Sequence, residues 1–157
     1  MKTNDLRSLQ ALRQLREQRA SSQLAAQQQR CRETHGVLDD AREELRLHRE
    51  AVARKAEQLY GACSAGLSVS AWQSAQAHLH ELSEDQRELE GSVDQTEQTL
   101  QAQEREREIF RTARLARQRQ ADACDALLEG RLSSERRAAE HRDDAEDIPM
   151  ATSRGLA

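Results

Sequence analysis

Four side chains in the middle of the sequence have the chemistry of metal ligands: His48, His78, His80 and Glu81. Histidines two apart on a helix point to different sides, so only one of His78 and His80 could share a site with His48. Ordinary seam and surface histidines fit this spacing better than a zinc site does. A second candidate is the basic stretch Arg105, Arg107, Arg111, Arg114, Arg117 and Arg119. Glu104, Glu106 and Glu108 are interleaved with it, which reads as a solvated helix face with local ion pairs. Nucleic acid is not an expected partner, because Phe110 is the only ring nearby and the formal net charge is −4. Cys31, Cys63 and Cys124 are odd in number and far apart, with no CxxC, so they read as reduced thiols. There is no nucleophile–base arrangement, no phosphate-cradling glycine loop and no paired-carboxylate cleft. An enzyme, a bound cofactor and a small-molecule substrate are therefore not expected.

The elements that would have to position these residues are helical. Of the 157 residues, 24 are alanine, and Leu, Ile, Val and Phe together number 26, too few for a compact domain of this length. Ala, Glu, Lys, Leu and Arg make up 85, about half the chain, the composition of long helices and coiled coils. Val and Ile total six and hairpin punctuation is missing, which excludes sheet folds. With three aromatics, Tyr60, Trp72 and Phe110, an enclosed apolar pocket is not expected. No apolar run approaches the ~18–20 residues of a membrane span. The first nineteen residues are charged throughout and do not read as a signal peptide.

Alternating steps of three and four from Trp72 pass through Ala75, Leu79, Leu82, Gln86, Leu89, Val93, Thr96 and Leu100. They continue through Gln103, Arg107, Phe110, Arg114 and Arg117 to Ala121, Cys124 and Leu128, a heptad seam that turns polar before recovering. The first half carries a weaker stripe at Leu24, Cys31, Leu38, Ala41, Leu45, His48, Val52 and Leu59. Leu6, Leu9, Leu12 and Leu15 lie out of phase with it, so a stutter is expected near residues 16–23. Gly36 is a candidate bend, and Gly130 either an end of regular pairing or a tolerated kink. Two glycines and three serines mark residues 61–70 as the turn, and Ser70 with Gln73 reads as a capping box.

The expected fold is all-α: a long antiparallel two-helix coiled-coil hairpin. Its helices span about 5–61 and 70–140, and residues 143–157 form a disordered tail. Facing positions then add to about 131, pairing Leu59 with Trp72, Val52 with Leu79 and Leu38 with Val93. At ~1.5 Å per residue the first helix alone is ~85 Å long, a rod. Residues 1–32 carry seven basic and two acidic residues, residues 71–104 one basic and eight acidic, and residues 105–137 nine basic and six acidic. Such polarity points to different partners at the two ends. Arg114 and Arg117 occupy seam positions, where charge weakens a two-helix contact and calls for another protein to finish it. Trp72 reads as a plug under the turn or, alternatively, as an exposed anchor for a partner.

At the turn and the second helix the sequence resembles the FliJ family of flagellar type III export proteins. The resemblance is carried by Ser64-Ala65-Gly66-Leu67-Ser68 followed by Trp72, by the heptads through Leu82 and Leu89, and by Leu127-Leu128-Glu129 with Arg131-Leu132. It covers about residues 5–142, and YscO-like injectisome proteins share the length and architecture. It implies a non-enzymatic, stalk-like coupling component, cytoplasmic and peripheral at the inner-membrane export apparatus. The implied partners are the hexameric export ATPase, met by the paired terminal ends, the export gate membrane protein, met by the hairpin body, and export chaperones. Read this way, the ATPase contacts are Arg7, Arg13, Arg16, Arg114 and Arg117. Gate contacts transferred by position from the turn fall on His48, Ala51, Lys55, His78, Leu82, Asp85 and Leu89, with Gly66 and Trp72 at the hairpin tip. The alternative reading is a cytoplasmic escort or adaptor coiled coil that carries export substrates, or a YscO-like injectisome stalk. A third is an intermolecular coiled coil formed with another copy.

Overall fold

The computed structural model describes residues 2–147, and its elements are two helices, α1 (Thr3–Ser64) and α2 (Val69–Glu146). They pack against each other as an antiparallel two-helix hairpin. Among the described residues there is no strand, and no helix is long and apolar enough to cross a membrane. Residues 143–146, placed in the tail by composition, are the last residues of α2. The remainder of that tail, 148–157, lies outside the described residues.

The connection is tighter than the ten-residue stretch that glycine and serine mark out. Ala62, Cys63 and Ser64 stay helical, so the turn is only residues 65–68. Gly66 takes φ +90°, the left-handed conformation that lets a helix stop within one residue. Its amide donates to the Cys63 carbonyl at 3.2 Å, satisfying an acceptor the helix end would leave bare. The cap of α2 is Ser68, not Ser70: the Ser68 hydroxyl accepts from the Ala71 amide at 3.3 Å, two residues ahead of the Ser70–Gln73 box. Leu67 and Trp72 then sit before the cap and at the fourth helical position, the placement of a hydrophobic staple.

The chain divides into two compact units. One comprises Ala25–Ile109 and includes the turn; the other comprises Met1–Leu24 with Phe110–Ala157. In the turn unit the core is Cys31, Leu38, Leu45, Val93 and Leu100, with Ala41 and Leu89 packed against it. The expected pairing of Leu38 with Val93 falls inside this cluster. Arg42 and Arg49 flank it with cross-helix ion pairs to Glu97 and Glu90, at 2.7 and 2.8 Å. Hydrogen bonds from Arg49 and Gln86 hold the Glu90 carboxyl below its ordinary range. Gln27 is a polar layer in this unit's seam and is only 2% exposed. Its Nε2 donates to the Gln103 carbonyl at 2.9 Å, while its own Oε1 and that of Gln103 find no donor among the described residues.

In the terminal unit the buried apolar residues are Leu6, Ala20, Leu24, Ala121, Cys124 and Leu128. Leu6 and Cys124 face each other, the Cys124 thiol lying 4.0 Å from the Leu6 carbonyl. Both Cys31 and Cys124 are buried free thiols, whereas Cys63 is exposed. The expected stutter is absent. The contact face of α1 here runs through Leu6, Gln10, Arg13, Glu17, Ala20 and Leu24, in steps of three and four with no break in phase. Leu12 and Leu15 lie off that face and stay 43% exposed, so their hydrophobicity misled the stripe.

Both Gly36 and Gly130 sit inside unbroken helix, with open space where a Cβ would go. Replacing either with alanine is expected to raise stability by roughly 0.5–1 kcal/mol, read as a higher urea midpoint at unchanged slope. Gly66→Ala is expected to do the opposite, losing about 1–2 kcal/mol at its left-handed backbone. A destabilised Gly130→Ala would contradict the helix drawn through that position.

Candidate functional site

The sequence marks three places for function, and the structure arranges them differently. In the terminal unit, Arg13, Glu17 and Arg114 lie half-buried at the α1–α2 contact, where leucine or alanine would be usual. The Arg114 Nε stands 3.7 Å from a Glu17 carboxylate oxygen, with the two side chains 38% and 25% exposed. Arg13 donates to the Gln120 amide oxygen at 2.7 Å, and Arg117 donates to the same oxygen at 3.3 Å. Two guanidiniums thus converge on one neutral acceptor, which orients them without cancelling their charge. Arg117 itself is exposed, off the seam where the heptad count places it, and Arg7 and Arg16 are exposed as well.

Around this polar stretch the apolar residues face outward. Leu12, Leu15 and Leu115 are each 43% exposed, and Leu127 is 64% exposed. The contact of the terminal unit is therefore partly inside out: Arg13, Glu17 and Arg114 interrupt it while these four leucines stay outside, although Leu6, Leu24 and Leu128 remain buried in it. Burying an ion pair costs desolvation that its attraction only partly returns, so this arrangement forgoes stability a plain apolar seam would give. What it supplies instead is a surface bearing exposed leucines together with guanidiniums, and arginine is enriched at protein interfaces.

The body of the hairpin is where the transferred gate contacts lie. His48 is tied into the seam, its Nε2–H donating to the Leu82 carbonyl at 2.8 Å. Leu82 and Leu89 are half-buried beside it, whereas Ala51, Lys55, His78 and Asp85 are exposed. His78 and Asp85 are seven residues apart and so share one face of α2. The histidines do not converge: His78 and His80 pair along α2 with Glu81 at 3.8 Å and Glu84 at 3.9 Å. Among the described residues no group of three metal-ligating side chains comes together. A groove of about 590 Å³ runs beside Leu45 and Val93. Its arginines are already committed, Arg42 to Glu97, Arg46 to Glu43 and Glu50, and Arg49 to Glu90.

The third place is the turn. Trp72 is half-buried, Tyr60 is 69% exposed and Val69 is 73% exposed. The space beneath the turn is not filled. A cleft of about 250 Å³ remains there, lined by Leu59, Ala62, Leu67, Ala71, Ala75 and Leu79, with Lys55 and Gln58 at its rim. Sequence reasoning missed this cleft. Its only sequence signal is the small side chains at Ala62, Ala71 and Ala75, of which Ala75 stands on the α2 seam.

Comparison with protein-family models, with characterised proteins and with solved structures finds no match to this chain.

The inside-out seam makes a direct prediction. Replacing Glu17 and Arg114 together with leucine is expected to leave the hairpin as stable or up to about 2 kcal/mol more stable, read by urea unfolding. Glu17→Leu alone, which strands the Arg114 guanidinium, is expected to be less stable than the double variant. A double variant that loses stability while the single one does not would show that the pair is structural.

Proposed function

We propose that this chain is a non-enzymatic stalk and coupling component of a flagellar type III protein export apparatus. It binds the hexameric export ATPase through its paired terminal segments and the export gate membrane protein through the body of the hairpin. The observation that carries this reading is the inside-out terminal unit, with Arg13, Glu17 and Arg114 at the helix contact and Leu12, Leu15 and Leu115 facing out. A seam built that way is finished by something outside the chain. The FliJ-like Ser64–Ser68 turn followed by Trp72 supports the choice of partner, as does the hairpin fold. Charge supports it too: residues 1–32 carry seven basic and two acidic residues, whereas residues 71–104 carry one basic and eight acidic. On this reading the protein sits peripherally at the export apparatus.

The mechanism is contact and not chemistry. An asymmetric helix pair inside a six-fold ring touches only some subunits at once. It thereby favours particular conformations of those subunits as nucleotide turns over. Binding the assembled ring better than free subunits also promotes hexamer formation by mass action. The exposed guanidiniums would set the rate and salt sensitivity of docking, and the leucines its persistence.

The test is ATPase turnover and oligomeric state of the cognate export ATPase across a concentration series of this protein. A rise in both is expected. Charge reversal at Arg13, Arg16 and Arg117 is expected to weaken the effect by about tenfold or more and to flatten its salt dependence. An unchanged ATPase at saturating protein would reject the stalk reading.

A further inference from the structure

Beyond the terminal unit, the cleft under the turn is lined mainly by apolar side chains. Six of its lining residues are apolar, namely Leu59, Ala62, Leu67, Ala71, Ala75 and Leu79. Along the core of the turn unit Leu38 and Leu45 are only 2% and 7% exposed, and the groove beside Leu45 is lined largely by paired arginines and carboxylates. At the turn, the short side chains of Ala62, Ala71 and Ala75 line an opening of about 250 Å³, enough for one leucine- or phenylalanine-sized side chain. Tyr60 and Val69, next to Leu59 and two residues after Leu67 in the sequence, are 69% and 73% exposed. The charged rim residue is Lys55, one of only two lysines in the sequence, and it makes no ion pair among the described residues.

We propose that this cleft is a docking site for a segment of another protein that inserts one large apolar side chain and sets an adjacent carboxylate on Lys55. An apolar hole beside an uncompensated ammonium matches that pair of groups and is poorly matched by either alone. A second copy of this chain is a worse occupant. A stable homodimer needs roughly 800 Å² from each partner, more than a four-residue turn and its flanks present. An anionic bilayer is also a worse occupant, since Glu57 and Glu81 lie within two residues of lining residues and one lysine is a weak lipid anchor. The inserted side chain would lie near Trp72, the only tryptophan, which makes its emission a reporter of occupancy.

The test is to pan a random dodecamer peptide display library against the immobilised full-length chain and to measure the enriched peptides by Trp72 fluorescence. Enriched sequences are expected to pair Leu, Phe, Met or Trp with Asp or Glu within one helical turn. Their affinity is expected to fall about tenfold on Lys55→Glu and to return when the peptide's acid is exchanged for lysine. Ala75→Leu, which fills the cleft, is expected to abolish binding with helicity intact. If that variant loses helicity, Ala71→Leu serves in its place. The proposal is overturned if no peptide is enriched, if the enriched peptides lack the acidic residue, or if they ignore both the cleft-filling and the lysine variants. The export ATPase takes no part in this assay, so its outcome is separate from that of the stalk reading.

Discussion

In a two-helix hairpin each helix can cover its apolar stripe only with the other, so the α1–α2 seam carries what a layered core spreads over many elements. Leu38, Leu45, Val93 and Leu100 show how little material this takes when the phase is kept. A slip along the seam would set apolar residues against polar ones, so the heptad phase also fixes the register. Gln27 adds to this constraint. Its amide reaches the Gln103 carbonyl at 2.9 Å in the native register, and a slipped register would leave that buried donor unpaired. Stability and specificity are thus set by different residues of one seam.

The same constraint explains why departures from the apolar pattern are informative. A seam this thin has no second layer to hide a charge, so Arg13, Glu17 and Arg114 remain half-buried. Nor does it hide a leucine, which leaves Leu12, Leu15 and Leu115 facing solvent. In the turn unit the cost falls elsewhere. There the charges at Arg42, Arg46 and Arg49 are paired with carboxylates, and the opening is an apolar gap produced by small residues. One unit offers charge with exposed leucine; the other offers an empty apolar cleft beside a lysine.

Much of the fold was legible in the sequence because period and register are written in residue types. The α2 heptad counted from Trp72 through Leu128 matches the burial pattern at every step except Arg117. Less legible was α1, where Leu9, Leu12 and Leu15 imitate a stripe; hydrophobicity alone cannot say that Arg13 and Glu17 are the residues facing α2. The turn was placed but drawn too long, because Ala62, Cys63 and Ser64 are compatible with helix and only Gly66 requires the left-handed backbone. The cap at Ser68 was missed because Ser70 carried the better-known spacing. For the site, the arginines were legible as charge, but their convergence on Gln120 was not, since it depends on a side chain from the other helix. The cleft was invisible for a plainer reason: it is missing volume, and a run of alanines reads as good helix.

On the proposed reading the terminal unit is completed by a partner and the core of the turn unit is not. Amide hydrogen exchange of the full chain, alone and with the cognate export ATPase, tests it most directly. Residues 6–24 and 110–128 are expected to exchange faster than residues 31–45 and 89–100 in the free chain, and only the former are expected to gain protection in the complex. Equal protection of both units in the free chain, or protection gained only at residues 71–104, would contradict it.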